Sequence, residues 1–211
     1  MNSLKQIDEI HVPVMLNRTI EILGESLKKQ NAVLVDCTLG LGGHAEAFLE
    51  SFPELTVIGI DRDTTALKLA GERLSRFGQR ALFSHATYDQ ILDVIAEHGF
   101  DSVQGILLDL GVSSMQLDEA DRGFAYSFDA PLDMRMDATE SLTAADVVNE
   151  YDERDLVRIF KEYGEERYAK PIAAAIVEKR NAAKFVSSAA LAKLIVDIVP
   201  FIPGKSKGHP A

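Results

Sequence analysis

Between residues 31 and 110 short apolar runs alternate with segments of helical period. Ala32–Val35, Thr56–Ile60 and Gly105–Leu108 are the clear runs, and Ala81–Phe83 is a weaker one. All are too short for helices. Unbroken apolarity, rather than strict alternation, marks strands buried on both faces, as in a parallel sheet. The clear runs end at Asp36, Asp61 and Asp109. Between them, Asp63 or Thr64 can cap a helix carrying Ala66, Leu67, Ala70 and Leu74 and closing near Gly78. Asp89 can cap a second one carrying Ile91, Leu92, Val94 and Ile95 and ending near Gly99. This alternation predicts βαβ units with right-handed crossovers.

After Asp109 the pattern changes. Residues 111–140 are rich in Gly, Asp, Ser and Met, follow no clean period, and read as a structured loop. From Thr143 onward the periodicity is helical. Thr143 and Asp146 fit a capping arrangement. Leu156, Ile159 and Phe160 form one stripe, stopped at Gly164, and Ile172, Ala173, Ile176 and Val177 form another. Ser187 or Ser188 can cap a last helix with Leu191, Leu194, Ile195 and Ile198, stopped by Pro200. The basic tail Pro203–Ala211 reads as loose. Doubly wound nucleotide folds usually have about six strands, so four strands predict a sheet that continues past Ala211. Without further strands, Gly105–Leu108 is expected to be an apolar edge.

Composition narrows the class. Hydrophobic residues make up 46% and charged residues 26% of 211, the profile of a globular protein. No apolar run approaches the roughly 18 residues a membrane span needs, and the start of the chain has no signal-peptide core. The lone Cys37 rules out an internal disulfide and suggests a reducing, cytoplasmic setting. The net charge of −11 is uneven: residues 1–150 hold 11 basic against 25 acidic side chains, and residues 151–211 hold 11 against 8. An acidic first part argues mildly against a nucleic-acid partner, because phosphate neutralisation needs clustered Lys and Arg.

The chemistry concentrates in Asp36-Cys37-Thr38-Leu39-Gly40-Leu41-Gly42-Gly43-His44, which leaves the first strand and opens a helix at Ala45. Glycines allow close backbone approach to a ligand, and the helix N-terminus offers free N–H groups. The dinucleotide pattern G-x-G-x-x-G fails at Ala45. The methyltransferase pattern, acidic-x-Gly-x-Gly-x-Gly, is nearly met, with Thr38 in the first glycine's place, which favours S-adenosyl-L-methionine over NAD. Asp61, ending the second strand, can accept both ribose hydroxyls, since Asp63 and Thr64 can serve the helix cap. Asp109 ends the fourth strand. Three strand-end aspartates are thus expected at one crevice. His44 sits where the helix dipole disfavours imidazolium, so a ligand-shaping role through its backbone fits better than proton transfer. No His or Cys spacing suggests a metal site.

Longer strings then become recognisable. Asp36-x-Thr38-x-Gly40-x-Gly42-Gly43-His44, Asp109-Leu110-Gly111-Val112-Ser113-Ser114-x-Gln116-Leu117-Asp118, Arg122-Gly123-Phe124 and Pro131-Leu132-Asp133-Met134-Arg135-Met136-Asp137 resemble the ribosomal RNA small subunit methyltransferase H family. So do His11-Val12-Pro13-Val14-Met15-Leu16 and Gly208-His209-Pro210-Ala211. The resemblance implies an α/β fold, with a Rossmann-like S-adenosylmethionine methyltransferase core over residues 1–112. Residues 113–211 would be loop plus an inserted all-helical domain, followed in family members by more of the sheet. It implies N4-methylation of a cytidine in the decoding centre of 16S ribosomal RNA, in an assembled 30S subunit. By position, Gly42, Gly43, His44, Asp61, Tyr88, Asp109 and Gln116 would contact the cofactor. Asp109 would also polarise the acceptor amine as the catalytic residue, with Ser113 a weaker candidate. Met115 replaces the family's usual proline, which is expected to loosen the loop holding Gln116. The rival expectations are a non-catalytic fragment that binds ribosomal RNA or a partner, and an NAD-dependent oxidoreductase.

Overall fold

In a computed structural model of the chain, the described residues are 13–113, 116–117, 119–125 and 129–200. The expectations for His11-Val12, Ser114, Met115, Asp118, the tail Pro203–Ala211 and its Gly208-His209-Pro210-Ala211 string lie outside them. The chain divides into two compact units. The first runs to Ser114 and takes in Met136–Ala138. The second comprises Met115–Arg135 and the chain from Thr139.

In the first unit the elements run α1 (Leu16–Leu27), β1 (Val33–Asp36), α2 (Gly43–Ser51), β2 (Thr56–Asp61), α3 (Thr64–Leu74), β3 (Ala81–His85), α4 (Ile91–Glu97) and β4 (Gly105–Leu107). The four strands are all parallel in the order β3-β2-β1-β4. This is the strand order of a Rossmann-type half-sheet, with the strand order reversing between β1 and β4. The continuous apolar runs of the central strands β1 and β2 are explained by burial on both faces. Leu34 and Val57 pack with Leu27, Phe48, Leu49, Ala70 and Leu74 on one face. Val33, Val35, Ile58 and Ile60 pack with Val94 and Ile95 on the other. On the order of 25 cal/mol per Å² of buried apolar surface favours this two-sided arrangement.

Local chemistry sets the element ends. Asp63 caps α3, its carboxylate accepting from Thr65 N and Ala66 N. Asp89 is not the cap expected before α4. It lies inside a 3-10 turn, Tyr88–Gln90, that leads into α4. Thr87 and Gln90 cap that turn by a reciprocal capping box. α2 begins at Gly43, two residues before the expected start, because Gly42 at φ +76 turns the chain into the helix.

The second unit contains α5 (Ala144–Glu150), α6 (Glu153–Glu162), α7 (Ala169–Arg180) and α8 (Ser188–Ile198). Leu156, Ile172, Ala173, Ile176, Phe185 and Leu194 form its buried centre. Thr143 with Asp146 caps α5, and Ser187 caps α8. Ser188 does a different job: its buried hydroxyl accepts from Ala130 N at 3.0 Å. The aperiodic stretch before α5 is held by its own backbone. Met134 N donates to Arg122 O at 3.0 Å, Arg122 Nη2 donates to Arg135 O at 3.1 Å, and Arg135 grips the Asp133 carboxylate through two nitrogens. Gly123 sits at φ +72, and a Cβ there would lie 2.3 Å from Pro131 O. The Arg122-Gly123-Phe124 and Pro131–Arg135 strings therefore form one folded object.

Candidate functional site

Parallel strands deliver the side chains at their carboxyl ends to one edge of the sheet, and ligands of open α/β sheets bind there, at the point where the strand order reverses. In the first unit that edge carries Asp36, the last residue of β1, Asp61, the last residue of β2, and Asp109, two residues past β4. Asp36 is 1% exposed and accepts from Thr38 N at 3.2 Å. Burial pushes its carboxyl up to about 7, and the nearby Asp61 and Asp109 charges push the same way against the Thr38 bond. Burial also raises the Asp61 carboxyl, opposed by backbone N–H bonds. The Cys37 thiol is lifted to about 11, chiefly by burial and then by Asp36.

Asp61 is more committed than its sequence context suggests. Its Oδ2 accepts from Gly40 N at 2.7 Å and its Oδ1 from Asp63 N at 2.9 Å. The acid that ends β2 thus anchors the glycine turn after β1 and begins the turn into α3. Each carboxylate oxygen has further acceptor capacity, so hydroxyl groups of a ligand can still dock. Thr38 Oγ1 accepts from Asp109 N at 2.7 Å, tying the glycine turn to the end of β4. A Cβ on Gly40 would come no closer than 3.9 Å to Thr38 O, and one on Gly111 would meet nothing within 4 Å. Open space therefore lies over both turns.

His44 stands in the first turn of α2 and is buried. Its Nε2 lies 3.1 Å from Val14 O. A carbonyl only accepts, so Nε2 carries the hydrogen and, in the neutral ring, Nδ1 is the acceptor. Nδ1 faces Asp109 Oδ2 at 4.0 Å, too far for a direct bond. This gives a pair of acceptors that a ligand N–H group can bridge. The sequence reading missed the meeting of these two side chains. Gly43 is pinned as well, since a Cβ there would lie 2.6 Å from Pro13 Cγ. Tyr88 is 54% exposed and opens the turn that follows β3. The first unit thus brings Gly42, Gly43, His44, Asp61 and Asp109 onto one set of turns, with Tyr88 on the turn beyond the neighbouring strand. Gln116 belongs to the second unit and is buried there. Among the described residues, no three His, Cys, Asp or Glu side chains form a group that could hold a metal ion, and no helix is long and apolar enough to cross a membrane.

The donor set has a chemical preference. The Asp61 and Asp109 carboxylates at this edge disfavour the pyrophosphate of a dinucleotide and favour a cationic ligand bearing hydroxyls. A sulfonium nucleoside with an amino group fits that description.

Comparison with known proteins gives a concordant picture. Residues 8–211 match the MraW methylase family. The chain is 55% identical over 201 residues to "Ribosomal RNA small subunit methyltransferase H" of Streptomyces avermitilis, covering 95% of this chain and 63% of that one. The protein of the same name from Nocardia farcinica is 53% identical over 204 residues, at 95% and 63% coverage. The chain thus spans a little under two thirds of the length of these curated relatives. Among solved structures, an rRNA methylase from Streptococcus thermophilus aligns with 48% of this chain and 57% of its own, at 20% identity and a TM-score of 0.38.

Proposed function

Because this chain belongs to the MraW methylase family, we propose that its first unit is the cofactor-binding part of an S-adenosyl-L-methionine-dependent enzyme that methylates N4 of a cytidine in small-subunit ribosomal RNA. The observation that carries the reading is the meeting of Asp36, Asp61 and Asp109 with the Gly40–His44 turn at the carboxyl edge of a β3-β2-β1-β4 sheet. Asp61 accepts the ribose hydroxyls, the backbone N–H groups of Gly43 and His44 at the start of α2 face the ligand, and Tyr88 adds a contact from the turn after β3. When bound, the cofactor supplies a methyl group already activated by its sulfonium.

The cytosine amine is a weak nucleophile, because its lone pair is delocalised into the ring. The protein's contribution is therefore alignment in a pocket from which water is excluded. Asp109, with 42% of its side chain exposed, can accept a hydrogen bond from the amine. It would take up the proton that the amine gives up when it is methylated. His44 Nδ1 offers a second acceptor at the same place. The target base has to leave its stack to reach the edge of the sheet. The decoding-centre position, the 30S setting and a cytoplasmic location belong to this proposal as well.

Calorimetric titration of the chain with S-adenosylmethionine and with NAD, and radiolabelled methyl transfer to undermethylated small subunits by the full-length protein, test it. The expected result is binding of the first ligand only, with label on a cytidine. NAD binding would favour the oxidoreductase reading. Cofactor binding without transfer by the full-length protein would favour a non-catalytic RNA-binding role.

A further inference from the structure

His85 is the last residue of β3 and the register partner of Asp61 in β2. Its Nε2 lies 3.1 Å from Arg62 O and 3.1 Å from Asp137 Oδ2. A carbonyl can only accept, so Nε2 carries a hydrogen shared between that carbonyl and the carboxylate. Asp137 is buried and lies in Met136–Ala138, which belongs to the first unit although its sequence neighbours belong to the second.

The carbonyl that His85 holds is one end of a single peptide unit, and the other end is Asp63 N–H. That N–H donates to Asp61 Oδ1 at 2.9 Å. A peptide unit is planar and close to rigid, so fixing the Arg62 carbonyl fixes the direction in which the Asp63 N–H points. Asp137, His85, the Arg62–Asp63 peptide and Asp61 form a continuous relay of hydrogen bonds. Ala86 N, bonded to Asp61 O at 3.2 Å, ties the same two strand ends together on the way to Tyr88. An exposed ion pair contributes little, but this link ends on a backbone carbonyl and a buried carboxylate. Its geometry is constrained at both ends.

We propose that His85 and Asp137 are positioning residues for the nucleoside end of the cofactor site, orienting the Asp61 carboxylate through the Arg62–Asp63 peptide; this rests on the cofactor reading above. Neither residue touches the ligand. The relay needs an N–H at the end of residue 85's side chain. Glutamine places an amide nitrogen the same number of bonds from Cβ, so it preserves the donor, and alanine does not.

The test is calorimetric titration with S-adenosylhomocysteine of the unsubstituted chain, His85→Ala, His85→Gln, Asp137→Ala, Asp61→Ala and His85→Ala combined with Asp61→Ala. His85→Ala is expected to weaken binding about 5- to 10-fold, within the range of coupling between residues in one network. His85→Gln should bind within about twofold of the parent, and Asp137→Ala should weaken binding in the same direction as His85→Ala. In the Asp61→Ala background, His85→Ala should cost nothing further, which a general loss of structure would not produce. Parent-like binding by His85→Ala, no recovery with His85→Gln, or a full additive loss in the double variant would each overturn the positioning role while leaving the cofactor reading intact. Absence of binding by the unsubstituted chain overturns both. If His85→Ala does not fold, Asp137→Ala carries the test by the same criteria.

Discussion

Replacing Asp36 with asparagine should change how stability depends on pH. In the folded chain burial holds the Asp36 carboxyl at about 7, against an ordinary value of 3.8. Between those two values the unfolded chain has released the proton and the folded chain keeps it. The unfolded state therefore binds fewer protons, and stability falls as pH rises through this window. A gap of about three pH units at about 1.4 kcal/mol each amounts to roughly 4 kcal/mol, large beside the 5–15 kcal/mol of a typical domain. Asparagine keeps the oxygen that accepts from Thr38 N but cannot ionise. Asp36→Asn is expected to match the parent near pH 4 and to exceed it by a few kcal/mol at pH 8. Urea unfolding followed by far-ultraviolet circular dichroism, at steps from pH 4 to 8, measures the difference. Asp61, whose carboxyl is also raised, adds slope of the same sign to both proteins and largely cancels. Asp133 and Asp146, held low by Arg135 and Thr143 respectively, add slope of the opposite sign, their stabilisation being lost only as pH falls below the ordinary carboxylate range, and they too are common to both proteins and cancel. A gap between the two proteins that does not change with pH, or a parent more stable at pH 8, would refute the argument.

Three further outcomes follow from the same geometry. Asp61→Ala should weaken S-adenosylmethionine binding by roughly 1.5–3 kcal/mol, the worth of hydrogen bonds to a charged group; unchanged affinity by calorimetry would remove the ribose assignment. Asp109→Asn in the full-length protein should lower the rate of methyl transfer more than it weakens cofactor affinity, and equal losses would make Asp109 a binding residue only. Gly123→Ala, with a positive φ and a Cβ 2.3 Å from Pro131 O, should destabilise the second unit by about 2 kcal/mol or more, read as a lower denaturation midpoint, and a parent-like midpoint would contradict the clasp described above.

Much of the first unit was legible in the sequence because burial of β1 and β2 on both faces leaves a simple trace, and the edge strands β3 and β4 keep shorter apolar runs. Each strand appears as an unbroken apolar run, and each expected run lies within a residue or two of its strand. The acids that close β1 and β2 were equally visible. α1 was missed for an identifiable reason. It starts after Met15, which has left-handed backbone geometry and makes no side-chain cap, so no Ser, Thr, Asp or Asn announces it. The Asp89 expectation failed because the start of α4 is preceded by a 3-10 turn, whose cap Thr87 pairs with Gln90. The contacts of His44 with Asp109 and of His85 with Asp137 leave no local trace. The second joins positions 52 residues apart, and only the folded chain brings them to one edge. The order of the Arg122–Phe124 and Pro131–Arg135 strings comes from backbone-directed bonds of Arg122 and Met134 rather than from any periodicity, so its cause was not legible.

The double commitment of Asp61 bears on any attempt to re-engineer ligand preference. Changing a ribose-reading acid is the usual route to a new nucleoside specificity, and it assumes that the acid answers only to the ligand. Here the same carboxylate terminates the glycine turn by accepting Gly40 N–H. A substitution at position 61 that admits a bulkier sugar would also release that turn, so altered selectivity and altered affinity would arrive together. A usable redesign has to supply Gly40 with another acceptor first, from a residue outside β2, before position 61 becomes an independent variable.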